Sequence, residues 1–335
     1  MTTLLEFREK AKIFMGKYDI YIIPLLKFSL AIITFLAING NIGFMERAKS
    51  PAISMILALM CSFLPINAIA VFGAFLIMAH AYALSLEVFA IAFVVIILMF
   101  LLFFRTASQY GYILVLTPLA FAVKMPYLVP LSMGLVGNPL AAVPVGCGTV
   151  IFYLMQYMKL NTTILSGTGK ESEAMKQKIT YLIDNVVRNR EMLLMVIAFA
   201  VTIIVVYVIR RMSIDYAWSI AVGVGAVINV IVLLTGSMVL NVSLKIAPVL
   251  LGTLVSMALV MALQITVFTL DYSRTEYVQF EDDEYYYYVK AVPKVTIAVP
   301  EKRVKRISSQ RKPASVRKKS STGKKPAANP QHKNS

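Results

Sequence analysis

Lys124 is the single charged side chain between two uncharged runs, Thr106–Val123 and Met125–Met158. An ammonium group there can neutralise an anionic substrate or take the place of a coupling cation. Pro126 follows two residues later, and a similar interruption occurs at Pro65, with Asn67 beside it. Proline lacks a backbone donor and disfavours helix in the residue before it, so each proline marks a break whose backbone groups need partners. Asn67 and Asn138 bring amides close to these breaks. The candidate substrate site is therefore Pro65, Asn67, Lys124, Pro126 and Asn138. Each polar member also has a plainer reading. An asparagine in an apolar helix bonds a neighbouring helix, at about 1 kcal/mol or less, and Lys124 serves as a loop residue between two helices.

The remaining ionisable and polar groups point to packing more than to chemistry. Lys27 lies within the first apolar segment, where a long stem lets the amine reach the interface. Glu87 and Arg105 bracket one apolar run and mark its ends, and Asn229 and Gln264 are placed to bond between helices. His80 reads as a packing residue, with a proton relay as the alternative. Cys61 and Cys147 fall inside apolar runs, and His80 and His332 are the only histidines, so neither a disulfide framework nor a His- or Cys-built metal site is expected. No Ser-His-Asp set or pair of carboxylates appears in the apolar runs. Ser166-Gly167-Thr168-Gly169-Lys170 resembles a phosphate loop, but Glu171 replaces the required Ser or Thr and Ile164 stands where the leading glycine belongs. The expectation is a chain with no catalytic residues, no cofactor and no metal.

The elements that must position these groups are set by eight stretches without Asp, Glu, Lys or Arg: Phe28–Met45, Ser50–Leu86, Val88–Phe104, Thr106–Val123, Met125–Met158, Met192–Ile209, Tyr216–Leu244 and Ile246–Leu270. A bilayer core is spanned by about 20 apolar residues. Only helices and closed barrels satisfy their backbone there, and these runs are continuous rather than alternating, so helix is predicted. The expected fold is an all-α polytopic membrane bundle of about 8 segments. Ser50–Leu86 and Met125–Met158 are too long for one helix, and Pro65 precedes Gly73 by the same eight residues as Pro126 precedes Gly134. Two proline-broken re-entrant hairpins entering from opposite faces would form an inverted repeat of the kind used by secondary transporters. Two ordinary pairs of short helices are the alternative. Ala217, Ala221 and Gly225 recur every fourth residue and suit close helix packing, within one chain or between copies.

The predicted organisation is a charged N-terminal segment (1–19), a first membrane block (20–158), an amphipathic connector (159–190), three further helices (191–270), an acidic and tyrosine-rich segment (271–300) and a basic tail (301–335). Net charge is +16, but Lys302–Ser335 alone holds twelve basic residues and no acid, while the rest carries 21 basic and 17 acidic groups. The positive-inside bias places both termini in the cytoplasm of a cell-membrane protein. In the tail, Lys302, Arg303, Lys305 and Arg306 are expected to attract anionic lipid. No aromatic groups are interleaved there, which argues against sequence-specific nucleic-acid recognition. Tyr285, Tyr286, Tyr287 and Tyr288 can form a short strand or a ligand for a cytoplasmic protein's sheet edge, interfacial tyrosines being the plainer reading. The functional expectation is a small-solute or ion transporter. The alternative is a scaffold, or a subunit of a membrane complex, that recruits a partner through its tail.

Overall fold

The computed structural model describes residues 10–11, 13–160, 162, 189–267 and 275–291, with side chains 265–267 excepted. All of them belong to one compact unit, Met1–Thr296. The amphipathic stretch 163–188 and the basic tail, including Lys302, Arg303, Lys305 and Arg306, lie outside the described residues.

Helices dominate. In chain order they are α1 (Asp19–Ile42), the single turn α2 (Glu46–Lys49), α3 (Pro51–Phe63), α4 (Asn67–Leu84), α5 (Leu86–Thr106), α6 (Gly111–Ala122), α7 (Leu128–Val136), α8 (Ala142–Leu160), α9 (Arg190–Arg210), α10 (Ala217–Val239) and α11 (Ile246–Val267). Among the described residues seven stretches are long and apolar enough to cross a membrane: α1, α4, α5, Pro139–Leu160 (α8 with the turn before it), α9, α10 and most of α11. The chain is a multi-pass membrane protein. Three apolar helices are shorter. The 13, 12 and 9 residues of α3, α6 and α7 reach about 20, 18 and 14 Å, against a hydrocarbon core of about 30 Å. The strands among the described residues form one antiparallel hairpin, β1 (Glu276–Glu281) with β2 (Tyr286–Ala291).

Local sequence explains where these helices begin and end. Ser85 caps α5 by accepting from the Val88 N–H at 3.3 Å, and Asn189 caps α9 by accepting from the Met192 N–H at 3.0 Å. Both helices carry Glu in the first turn and Arg in the last, as the helix dipole favours. α3 ends because Leu64 precedes Pro65 and is driven to an extended conformation. α6 ends in a left-handed cap. Lys124, at φ 62°, donates its N–H to Phe121 O at 2.9 Å while Met125 N–H bonds Ala120 O at 2.8 Å. That conformation is strained for a residue with a Cβ.

Hydrogen bonds sort the helix ends into two sets. At one end lie Leu64–Asn67, Ser108–Tyr110, Asn138 and Arg210, linked by contacts between their side chains and backbones. At the other lie Asn39–Met45, His80, Lys159, Glu191 and Leu240. These are called the Arg210 end and the Lys159 end below. α8 is the central helix, with 67% of its membrane window buried against 17% for α1 and 22% for α5. The outward faces of α5 and α11, with Val94, Leu98, Leu101, Leu251 and Leu254, are exposed apolar surface that suits hydrocarbon.

Close approach rests on glycines. A Cβ at Gly148 of α8 would meet Thr117 Cβ at 2.7 Å and the Leu114 carbonyl at 3.1 Å, and one at Gly134 of α7 would meet Val206 Cβ at 2.6 Å. The stripe Ala217, Ala221 and Gly225 is buried inside this chain. A Cβ at Gly225 would strike Val206 Cγ2 at 2.2 Å, so the stripe serves packing of α10 on α9 and α7. Gly134→Ala and Gly148→Ala are expected to destabilise the bundle by about 1–3 kcal/mol each. Gly223→Ala, with nothing nearer than Met257 Cε at 3.8 Å, should be neutral or stabilising. Thermal unfolding of the three variants in detergent checks the contrast.

Candidate functional site

Among the helices that stop at the Arg210 end, α3 and α7 each leave carbonyls without an intrahelical donor. Those carbonyls carry the negative end of the helix dipole. The structure supplies each with a cation from another helix. Lys27 Nζ, on α1, donates to Leu64 O at 3.0 Å. The Arg210 guanidinium, in the last turn of α9, donates to Leu135 O and, at 2.8 Å, to Gly137 O. A planar fork of donors suits two carbonyls at once, whereas an ammonium serves one. Arg210 also lies over the Tyr207 ring, 5.1 Å from its centroid.

Between these two capped ends runs the turn Ser108–Tyr110, which joins α5 to α6. Asn67 Nδ2 donates to Ser108 O at 3.0 Å, and Tyr110 Oη donates to Asn138 Oδ1 at 2.7 Å. A Cβ at Gly111 would sit 1.8 Å from Asn67 Oδ1, so the residue after the turn has to be glycine for Asn67 to fit. Of the candidate residues, Pro65, Asn67 and Asn138 are thus gathered in one polar layer. Lys124 and Pro126 are placed elsewhere, in the turn from α6 to α7 at the Lys159 end, one helix of about 18 Å away. The break that lies opposite Asn67 is Gly137-Asn138, followed by the 3-10 turn Pro139–Ala141.

Three members of this layer escape sequence reasoning. Lys27 reads as an interfacial amine, and the sequence assigns no site role to Arg210 or Tyr110. A basic residue inside the first apolar segment, with an unexplained proline break after the next apolar stretch, is the available signal for Lys27. For Arg210 the closest signal is its place in an Arg-Arg pair ending an apolar run.

The Lys159 end is fastened by a second buried network. Met45 N–H donates to His80 Nδ1 at 3.1 Å, and the other ring nitrogen, Nε2, bonds Asn39 Oδ1 at 2.8 Å. Because Nδ1 is the acceptor, Nε2 carries the proton and the ring is neutral. Asn39 Nδ2 donates to Ala48 O and Ser54 Oγ at 3.1 and 2.9 Å. His80 therefore ties α4 to α1 and to the loop carrying α2. Gln264 Nε2 bonds Ser219 Oγ at 2.9 Å between α11 and α10. Asn229 accepts from Thr202 Oγ1 at 3.2 Å, with its amide nitrogen unpaired.

Beyond the bundle, Tyr286, Tyr287 and Tyr288 form the first half of β2, paired with Glu281, Phe280 and Gln279, and Tyr285 precedes them in the turn. Tyr277 and Tyr288 are 78% and 79% exposed. Lys290 bonds Asp215, two residues before α10, and that carboxylate raises the lysine pKa. An exposed pair contributes little, and a lone two-stranded hairpin is marginal in water. Among the described residues no three His, Cys, Asp or Glu side chains gather as a metal site would require.

Comparison with protein-family models, curated proteins and solved structures finds no match to this chain.

Arg210→Ala leaves two carbonyls at the α7 terminus without their donor and is expected to cost about 1–3 kcal/mol. Arg210→Lys should recover part of that loss, since it restores the charge but not the fork. Denaturation of the purified variants in detergent reads the order wild type, Lys, Ala.

Proposed function

We propose that this chain is a membrane transport protein, a carrier or permease for a small solute or ion. The carrying observation is that two interrupted helices have their terminal carbonyls held by Lys27 and Arg210. These are contacts a transported ion can exchange with. A cation arriving at the carbonyls, or an anion drawing an amine or guanidinium away, replaces one partner by another of like charge. Broken helices whose ends face a binding site are how secondary transporters coordinate ions. In this reading α3 with α4 and α6 with α7 are inverted, re-entrant pairs, one breaking at Pro65 and the other at Lys124–Pro126. The substrate layer is Asn67, Ser108, Tyr110 and Asn138. The Arg210 end, with Lys17, Lys27, Arg105, Arg210 and Arg211, faces the cytoplasm of a cell membrane and carries both termini.

The test is flux in vesicles containing the full chain. Sodium, potassium, proton, chloride and amino-acid gradients are compared with empty vesicles. One gradient should dissipate faster, and Asn138→Ala should remove most of that rate without changing incorporation. Flux equal to that of empty vesicles for every gradient overturns the reading.

A second reading, a membrane subunit or scaffold that recruits a cytoplasmic partner, is favoured by the tyrosine hairpin. Its aromatic faces and both strand edges are open, and an added strand is what such an edge accepts. Anionic lipid at Lys302, Arg303, Lys305 and Arg306 would hold the tail close to the membrane. Deleting 276–335 should then abolish co-purification of the partner, whereas a partner retained by the shortened chain overturns this second reading.

A further inference from the structure

A crevice lies between α1, α4, α6 and α8. Ile69, Gly73, Ile77 and Leu114 form its buried floor, and Asn41 and Ala122 stand on its rim. It encloses only about 40 Å³ and is otherwise open along one side, so it is a shallow apolar groove along which a chain can lie rather than an enclosed cleft. Its polar lining is confined to Thr34 and Asn41, and both are occupied. Thr34 donates to Leu30 O at 2.6 Å, and Asn41 Nδ2 donates to Ala37 O at 3.0 Å. A polar solute or bare ion would lose its hydration there and gain nothing in return. A hydrocarbon chain loses nothing.

Charge lies at the mouth. Lys159 Nζ reaches Asn41 Oδ1 at 3.5 Å, so an exposed ammonium sits on the rim at the Lys159 end. Lys124 stands two residues beyond the rim residue Ala122, also exposed, in the left-handed conformation that glycine would adopt at less cost. Two cations with no acidic lining residue, above an apolar slot at membrane depth, match the chemistry of one molecule already in the surroundings. We propose that the crevice is a specific site for one anionic phospholipid, with an acyl chain along Ile69, Gly73 and Ile77 and the headgroup phosphate between Lys159 and Lys124. The headgroup position is at the opposite end from the Asn67–Asn138 layer, and the acyl track uses none of that layer's polar groups, so the proposal does not rest on transport.

The experiment uses the full chain purified in detergent, mixed with equal dioleoyl-phosphatidylglycerol and dioleoyl-phosphatidylcholine, and reads bound lipid by native mass spectrometry. The basic tail is common to every variant and cancels between them. Wild type should retain one phosphatidylglycerol in preference to phosphatidylcholine. Lys159→Ala and Lys124→Ala should each lower that preference roughly fivefold. Gly73→Leu should remove the bound lipid by filling the floor. A Cβ at Gly73 meets only Ile38 Cδ1, at 3.5 Å, so the substitution enters open space, and an unchanged melting temperature confirms folding. Equal retention of both lipids by wild type, or retention unaltered in all three variants, overturns the proposal. The two surface lysine variants decide the matter if Gly73→Leu unfolds.

Discussion

A helix that stops short must find partners for its last carbonyls, and that constraint organises the Arg210 end of this protein. A carbonyl left bare at membrane depth costs several kcal/mol, while a bond between two membrane helices returns about 0.6 kcal/mol on average. Satisfying the ends of α3 and α7 therefore outweighs any single asparagine contact. Lys27 and Arg210 meet the need from other helices, the lysine at one carbonyl and the guanidinium at two. Their charges are offset by the dipole ends they cap, so no carboxylate partner is required.

The other polar groups follow the same logic. Asn67 and Asn138 are both fastened to the Ser108–Tyr110 turn. His80 and Asn39 hold the loop between α1 and α3. Polar bonding is concentrated at the two ends, and the middle is built from apolar packing around the glycines of α8, with the Thr202–Asn229 bond as an exception. An interior of this kind leaves few places for a polar ligand, which directs a transport reading to the helix breaks and a lipid to the crevice.

Local features were legible in the residues themselves. Leu64 is extended because the next residue is proline, α5 and α9 begin at Ser85 and Asn189, and the eight uncharged runs mark helices. The tyrosine run was readable as a strand, and it pairs with Glu276–Glu281. The grouping of site residues was not readable. Pro65 and Pro126 share a spacing to glycine, yet they stand at opposite ends of α6, and the partner of the Asn67 layer is Asn138.

The amino-acid chain alone determined the solvent, hydrocarbon, and the points where helices stop. Both depend on each side chain and its immediate backbone. Only the folded bundle decided which groups meet. Lys27 finds Leu64 across 37 positions, Asn67 finds Ser108 across 41, and Arg210 finds Gly137 across 73. Such partners are selected by how whole helices pack, and no local pattern of residues carries that information.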